Sequence, residues 1–292
     1  MAATVSTDWN FVPKVWQDHI TAYFRRKLTF GALAVTDDTL KASPGETVNF
    51  PYYTKIGAAE EPAETASLTV DNLSDDSFPI TVKEVGKAVG AKDKALIVSA
   101  DRREGIFAEA QRQMGRVMAE KVDTDLITEM ATVAADFTAT TAPEVLTVSR
   151  LNSLRISTFG DLHNEAVAVY MHSQHLLSLL NDTTTGFLKA DSNDPMWRVP
   201  GFEGRLLGMA VIVSDQVTSE TAIGGKAAFS TYICKANPYG IAWKQDMNPE
   251  QDRDILAREW VWSATMWYGV KQFDQKISAD DRKIARGIYP IL

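Results

Sequence analysis

Residues 103–134 read REGIFAEAQRQMGRVMAEKVDTDLITEMATVA. Within them Ile106, Phe107, Ala110, Met114, Val117, Met118, Val122, Leu126, Ile127, Met130 and Val133 recur every three or four positions. That spacing gathers the apolar residues on one face of an α-helix running from Arg103 to Ala134. Asp101 followed by Glu104 puts an acid at the N-cap and another three residues on, close to a capping box. Arg116 with Glu120, and Lys121 with Asp125, place opposite charges four apart on the polar side, each pair worth about 0.2–0.5 kcal/mol. At about 1.5 Å per residue the helix is about 45 Å long, far above the usual length of about three turns. A rod of that length predicts a spine along which other parts of the chain, or other subunits, are laid.

Working outward, the totals bound the rest. A chain of 292 residues holds one large domain or two smaller ones. With 45% hydrophobic and 23% charged residues, most of it should fold. The net charge of −8 argues against a general nucleic-acid-binding surface. No apolar run approaches a membrane span, and no basic start leads into an apolar stretch as in a signal peptide. Cys234 stands alone, which excludes an intrachain disulfide and a cysteine-based metal site.

N-terminal to the helix, Trp9, Phe11, Val12, Trp16, Ile20 and Phe24 make a short amphipathic pattern from Pro13 onward. Arg25, Arg26 and Lys27 close it, where cations suit the negative end of a helix dipole. Two readings stay open: an arm packed on the core by its aromatics, or an arm that reaches a neighbouring molecule. Next comes a hairpin. Thr47 to Tyr53 reads as a strand, demoted to an edge by Pro51, and Ser77 to about Val82 as its return. Between them, residues 54–76 hold Glu60, Glu61, Glu64, Asp71, Asp75 and Asp76 against the single base Lys55. Connections beyond about 12–15 residues are usually functional or disordered, and an isolated hairpin is marginal in water. This one is expected to flap or to dock on another surface, which its acidity predicts to be basic. Gly86, Gly90 and the lysines 87, 92 and 94 then lead to a strand-like Ala95–Val98.

C-terminal to the helix, the Thr/Ala/Pro stretch 138–143 has linker character, so a domain boundary is placed near Ala142. Ser149–Phe159 reads as a helix, Ala166–Met171 as a buried strand, His172–Leu180 as a helix and Asn181–Asp194 as a polar loop. Arg205–Val213 reads as a second buried strand and Ala227–Lys235 as a third. Strands alternating with helices indicate an α/β unit. From Trp260 to Val270 the even positions are Trp260, Trp262, Ala264, Met266, Tyr268 and Val270, a long half-buried strand. Phe273–Ile277 and Ile284–Ile291 close the chain.

A search for chemistry finds little. There is no glycine-rich phosphate loop, nucleophile-elbow serine or helical zinc pair. His172 and His175, three apart, with His163 and Asp161 upstream, are the nearest metal candidates, and they lack a fixed third ligand. Asp191, Asn193 and Asp194 lack the glutamate and glycine of a calcium loop. Cys234 reads as a core residue, and the seven tryptophans as core or interface rather than a cofactor box.

The order of elements carries more. The arm, the acidic hairpin entered through Gly45-Glu46-Thr47-Val48-Asn49-Phe50-Pro51, the strand and the spine helix resemble the major capsid proteins of tailed bacteriophages. Thr81-Val82-Lys83-Glu84-Val85-Gly86-Lys87-Ala88-Val89, running on to the Met114–Leu126 helix, resembles that family in wording as well. So do Gly208-Met209-Ala210-Val211-Ile212-Val213-Ser214-Asp215 and Arg253-Asp254-Ile255-Leu256. That capsid fold is shared with the herpesvirus shell floor and encapsulin nanocompartments.

The resemblance implies an α+β fold in five parts: an N-terminal arm (1–45), an extended hairpin loop (46–89), a peripheral domain with the spine helix (90–141), an axial α/β domain (142–245), and peripheral C-terminal strands (246–292). It implies a structural protein without enzymatic activity, cofactor or metal. Such a protein self-assembles into hexamers and pentamers of an icosahedral head around double-stranded DNA, without sequence reading and without a membrane. Inter-subunit contacts are expected from Lys55, Glu60, Glu61, Glu64, Asp71 and Asp75 in the hairpin and from Trp9, Trp16, Arg25 and Arg26 in the arm. Because Met1 opens directly on the arm-like stretch, scaffolding is expected from a separate protein, with a portal and a decoration protein as further candidate partners. The expected location is the virion shell, assembled in the host cytoplasm. Two alternatives remain: an encapsulin-like shell around an enzyme cargo, and a metal-dependent α/β enzyme using His163, His172 and His175.

Overall fold

The computed structural model describes residues 28–53, 56–61, 68, 70–98, 102–139, 144–182, 187–189, 194–274 and 282–291. In chain order the first strands are β1 (Val35–Asp37), β2 (Thr47–Tyr53), β3 (Asp75–Thr81) and β4 (Lys83–Lys92). Helices α1 (Asp93–Val98) and α2 (Arg102–Ala131) follow, then β5 (Phe137–Thr138), α3 (Val148–Phe159), β6 (Ala166–Met171), α4 (Ser173–Leu180) and β7 (Phe187–Lys189). After a 3-10 turn at Pro195–Arg198 come the strands β8 (Phe202–Leu206), β9 (Met209–Val213), β10 (Ser219–Ile223), β11 (Lys226–Lys235), β12 (Tyr239–Asp254), β13 (Glu259–Gln272) and β14 (Ile284–Pro290).

The strands form two sheets and a separate ribbon. The smaller sheet runs β1-β12-β13-β4, the larger β5-β14-β11-β6-β9-β8-β7 with β10 also on β11, and β2-β3 pair only with each other. Helix α2 is the spine expected from its periodicity, and both sheets use its apolar face. Met114, Met118, Val122, Leu126 and Met130 are all at most 1% exposed. They share one core with Trp262, Ala264, Met266 and Tyr268 of β13, and with Ala168, Tyr170, Ala210, Ile212 and Tyr232 of the larger sheet. Strands β6 and β9 pair in parallel and are apolar nearly throughout, as strands covered on both faces must be. Their other face meets Leu151, Leu154 and Phe159 of α3 and Leu179 of α4.

The helix stops at Ala131 rather than Ala134. Its last turn tightens, with Thr132 and Val133 donating N–H to Glu129 and Met130, and Arg286 takes the freed carbonyls of Ala131 and Val133 at 2.6 and 2.9 Å. Val117, counted in the stripe, is 42% exposed.

Several expectations are corrected. Ala95–Val98 is helical where a strand was expected: Asp93 supplies an acid to the first turn, and Ile97 is 82% exposed. The segment before it is strand β4, hidden in the sequence by its glycines and lysines. Its register on β13 brings Gly86 so close to Thr265 that an added Cβ would sit 2.9 Å from that side chain. Arg205–Val213 is a hairpin, not one strand, because Leu207 and Gly208 both take positive φ (53° and 83°) and reverse the chain in two residues. Part of the polar loop 181–194 is β7, paired with β8.

The acidic stretch before β13 is itself the second half of β12, whose charges masked it. Pro249 is tolerated there because β1 covers β12 only at Gly240–Ala242, leaving an edge farther along. Strand β12 begins at Tyr239, so the last residues of the 142–245 segment already lie in the smaller sheet. Conversely, β14 leaves the 246–292 segment to pair with β11 and, in parallel, with β5 in the larger sheet. The alternation of Ile284, Arg286 and Ile288 with their neighbours does not say which sheet edge takes the strand; the long-range partners do.

The hairpin has a root of its own. Ile80, Val82, Leu40, Ala242 and Phe273 form a small buried cluster beneath it, with Phe50 and Phe78 at 5.1 and 5.3 Å from the Phe273 ring. Gly269 is required at this joint, since a Cβ there would lie 2.4 Å from the Thr81 carbonyl oxygen.

Candidate assembly interface

Beyond its root the described residues of the hairpin are largely bare. Tyr53 is 71% exposed, Leu68 63%, Val70 84% and Leu73 66%. Glu60, Glu61, Asp71 and Asp75 are exposed among them, as the sequence led one to expect. The acids dominate the composition and mask the apolar members, although Leu68, Val70 and Leu73 at intervals of two and three mark an amphipathic strip. The strip is held in shape: the Asp71 carboxylate accepts the Gly57 N–H at 2.8 Å, and Tyr52 donates its hydroxyl to Asp76 at 3.0 Å. Lys55 and Glu64 lie outside the described residues, as do Trp9, Trp16, Arg25 and Arg26 of the arm.

A second bare patch caps the far end of the smaller sheet. Ile255 and Leu256, at the β12–β13 turn, are 76% and 95% exposed, and Ile97 of α1, the helix whose Asp93 contacts this turn, is exposed as well. The turn is rigid. Asp254 accepts the N–H groups of Leu256 and Ala257, Arg253 bridges to Asp93 at 2.9 Å, and the Asp93 N–H reaches the Arg258 carbonyl. Large apolar side chains held out on stiff supports mark contact surfaces.

Other polar groups hold the subunit together. Asp123 of α2 accepts the backbone N–H of Thr29 at 2.8 Å and of Phe30 at 2.9 Å, pinning the segment ahead of β1 to the spine helix. Burial pushes that carboxyl up to about 6 despite the two donors. Phe30 stacks on Tyr170, and its carbonyl accepts from Tyr239, whose hydroxyl also meets that of Tyr170. Where α2 meets the larger sheet, Arg282 holds Asp136 with two bonds (2.9 and 2.7 Å) and Asp274 with a third. Arg286 adds Glu220 and Ser230 to the helix carbonyls.

The histidines do not converge. His175 is fully buried; its Nε2 meets the Tyr289 carbonyl, which can only accept, so Nδ1 accepts from Thr231. Burial pushes it down to about 4. His172 caps α4 by accepting the Gln174 N–H and stacks on Phe229 at 3.8 Å, while His163 bonds the Gly160 carbonyl. Among the described residues no group of three or more His, Cys, Asp or Glu could hold a metal ion. Nor is any described helix long and apolar enough to cross a membrane.

Two sheets bridged by one spine, with a hairpin projecting from the smaller, define a family-level architecture, and the sequence matches follow it. Residues 75–289 match the family described as phage capsid protein. The chain belongs to that family. Among curated relatives, the major capsid protein of Staphylococcus phage phiMR11 is 27% identical over 235 residues, covering 78% of this chain and 81% of its own. Among solved structures, the capsid of Ralstonia phage GP4 superposes with a TM-score of 0.71 at 10% identity, covering 92% of this chain and 91% of that one. The SrpI encapsulin of Synechococcus elongatus PCC 7942 superposes at 0.59 and 12% identity, covering 98% and 91%. The fold is thus the α+β capsid fold of tailed phages, and the capsid protein's role is structural: it forms the virion shell by self-association.

Proposed function

We propose that this capsid protein builds hexamers and pentamers of an icosahedral head that encloses double-stranded DNA. The observation that carries the reading is the contrast between a spine helix buried at Met114, Met118, Val122, Leu126 and Met130 and a hairpin whose tip exposes large apolar side chains on a fixed support. In this reading the smaller sheet with α1 and α2 is the peripheral domain, the larger sheet with α3 and α4 is the axial domain, and the hairpin lies on a neighbouring subunit. The exposed acids at its tip and the apolar side chains beside them are the contact residues, with Lys55, Glu64 and the arm residues Trp9, Trp16, Arg25 and Arg26 contributing from the segments flanking them. The net charge of −8 suits containment of DNA without sequence reading. Assembly takes place in the host cytoplasm with a separate scaffolding protein and a portal; a decoration protein is a further candidate partner, and no catalysis is required of the chain.

The likeness to an encapsulin supports a second reading, a cellular shell around a protein cargo. Electron micrographs of particles purified from a native source test both. Closed polyhedral shells containing nucleic acid are expected; shells containing an enzyme favour the second reading, and a protein that stays monomeric at high concentration contradicts both.

A further inference from the structure

A groove of about 430 Å³ opens at the base of the hairpin, lined by Leu40, Lys41, Glu46, Lys244, Gln245 and Trp267 among others. It lies where the turn Thr39–Lys41 and the approach to β2 cross the middle of β12 and β13. Its charges are unequal. The Lys41 ammonium is already held by Asp38 at 3.1 Å and Asp246 at 2.8 Å. Lys244 donates only to the carbonyl of Gly45 and forms no ion pair among the described residues. Leu40, 6% exposed, and the half-buried Trp267 give the groove an apolar floor beside that ammonium.

We infer that this groove receives the hairpin tip of a second copy of the chain, an exposed apolar side chain on the Leu40–Trp267 floor and a tip carboxylate on Lys244. The inference rests on the reading that the hairpin docks on a neighbour and names where it docks. Residues 54–76 hold six acids against one lysine, and the same stretch exposes Leu68, Val70 and Leu73, so the tip offers both parts of the complement. The tip of the same chain is excluded. Strands β2 and β3 stay paired from Thr47 to Tyr53, carrying it about 20 Å from its own root.

The test is a charge exchange in the full-length chain. Lys244→Glu is expected to lower the yield of sedimenting particles by about tenfold or more, with the subunit's circular dichroism unchanged. Adding Glu60→Lys and Glu61→Lys to the same chain is expected to restore the yield to within about twofold of wild type. Normal assembly of Lys244→Glu, or no recovery in the triple variant, overturns the inference.

A second measurement decides the matter if Lys244→Glu does not fold. Gln245→Cys combined with Glu61→Cys should give, after oxidation, a ladder of linked subunits on a non-reducing gel. Neither single variant should do so, because Cys234 is fully buried and burial raises its thiol pKa. Particles of the double variant without a ladder overturn the inference. Deleting Gly57–Ser74 separates the two levels: loss of particles on deletion with a neutral Lys244→Glu refutes the groove alone, whereas normal particles on deletion refute hairpin docking itself.

Discussion

The apolar face of the spine helix and the apolar side chains of the hairpin tip are chemically alike and structurally opposite. Met118, Val122 and Leu126 are at most 1% exposed because two sheets of the same chain close over them. Leu68, Val70 and Leu73 are at least 63% exposed, although the root of their hairpin is anchored by Ile80, Val82 and Phe273. The difference teaches where each region's free energy goes. Burial along the helix stabilises the subunit; the apolar side chains described at the tip are left uncovered by their own chain. Substitutions should therefore sort cleanly, with helix and joint affecting unfolding, and tip and groove affecting assembly alone.

The largest effect is expected at the joint behind the helix. Arg282→Ala removes the guanidinium from the buried Asp274 carboxylate, which keeps only backbone N–H donors such as those of Lys283 and Ile284, and from Asp136; it should destabilise the subunit by about 3–5 kcal/mol in denaturant unfolding. A loss below about 1 kcal/mol there would show that the joint does not hold the covered region together. Next comes the stripe itself: Leu126→Ala opens a cavity between helix and sheets and should cost about 2–5 kcal/mol.

Acid provides the third handle. His175 titrates near 4 when folded against about 6.5 when unfolded, so the neutral form is favoured in the fold. Its contribution is fully present above about pH 6.5 and is lost as pH falls towards 4, about 3 kcal/mol in all. Unfolding followed between pH 7 and 4 should lose this slope in His175→Gln. The smallest effect on folding is expected at the tip. Val70→Ser should change subunit stability by no more than about 0.5 kcal/mol while reducing particle yield; a stability loss comparable to that of Leu126→Ala would erase the distinction between the regions.

How legible this was in the sequence follows the same division. The helix and β13 announce themselves because their periods of 3.6 and 2 reflect a face buried within the chain, and β6 because a short apolar run is covered on both faces. Strands β4 and β12 do not, since glycines and charges fill their exposed positions and only long-range pairing makes them strands. The two-residue turn at Leu207–Gly208 was hidden by an apolar residue in a left-handed conformation. The acids of the hairpin tip stand out in the sequence, but the groove does not. It is assembled from residues near positions 40, 245 and 267, which no local pattern brings together.

The division between a self-sufficient body and an uncovered tip is tested most directly by sedimentation of the chain lacking Gly57–Ser74, with circular dichroism and thermal unfolding of the same sample. The structure predicts a native-like spectrum, a melting temperature close to that of the intact subunit, and no particles. Particles of normal size and yield would contradict it.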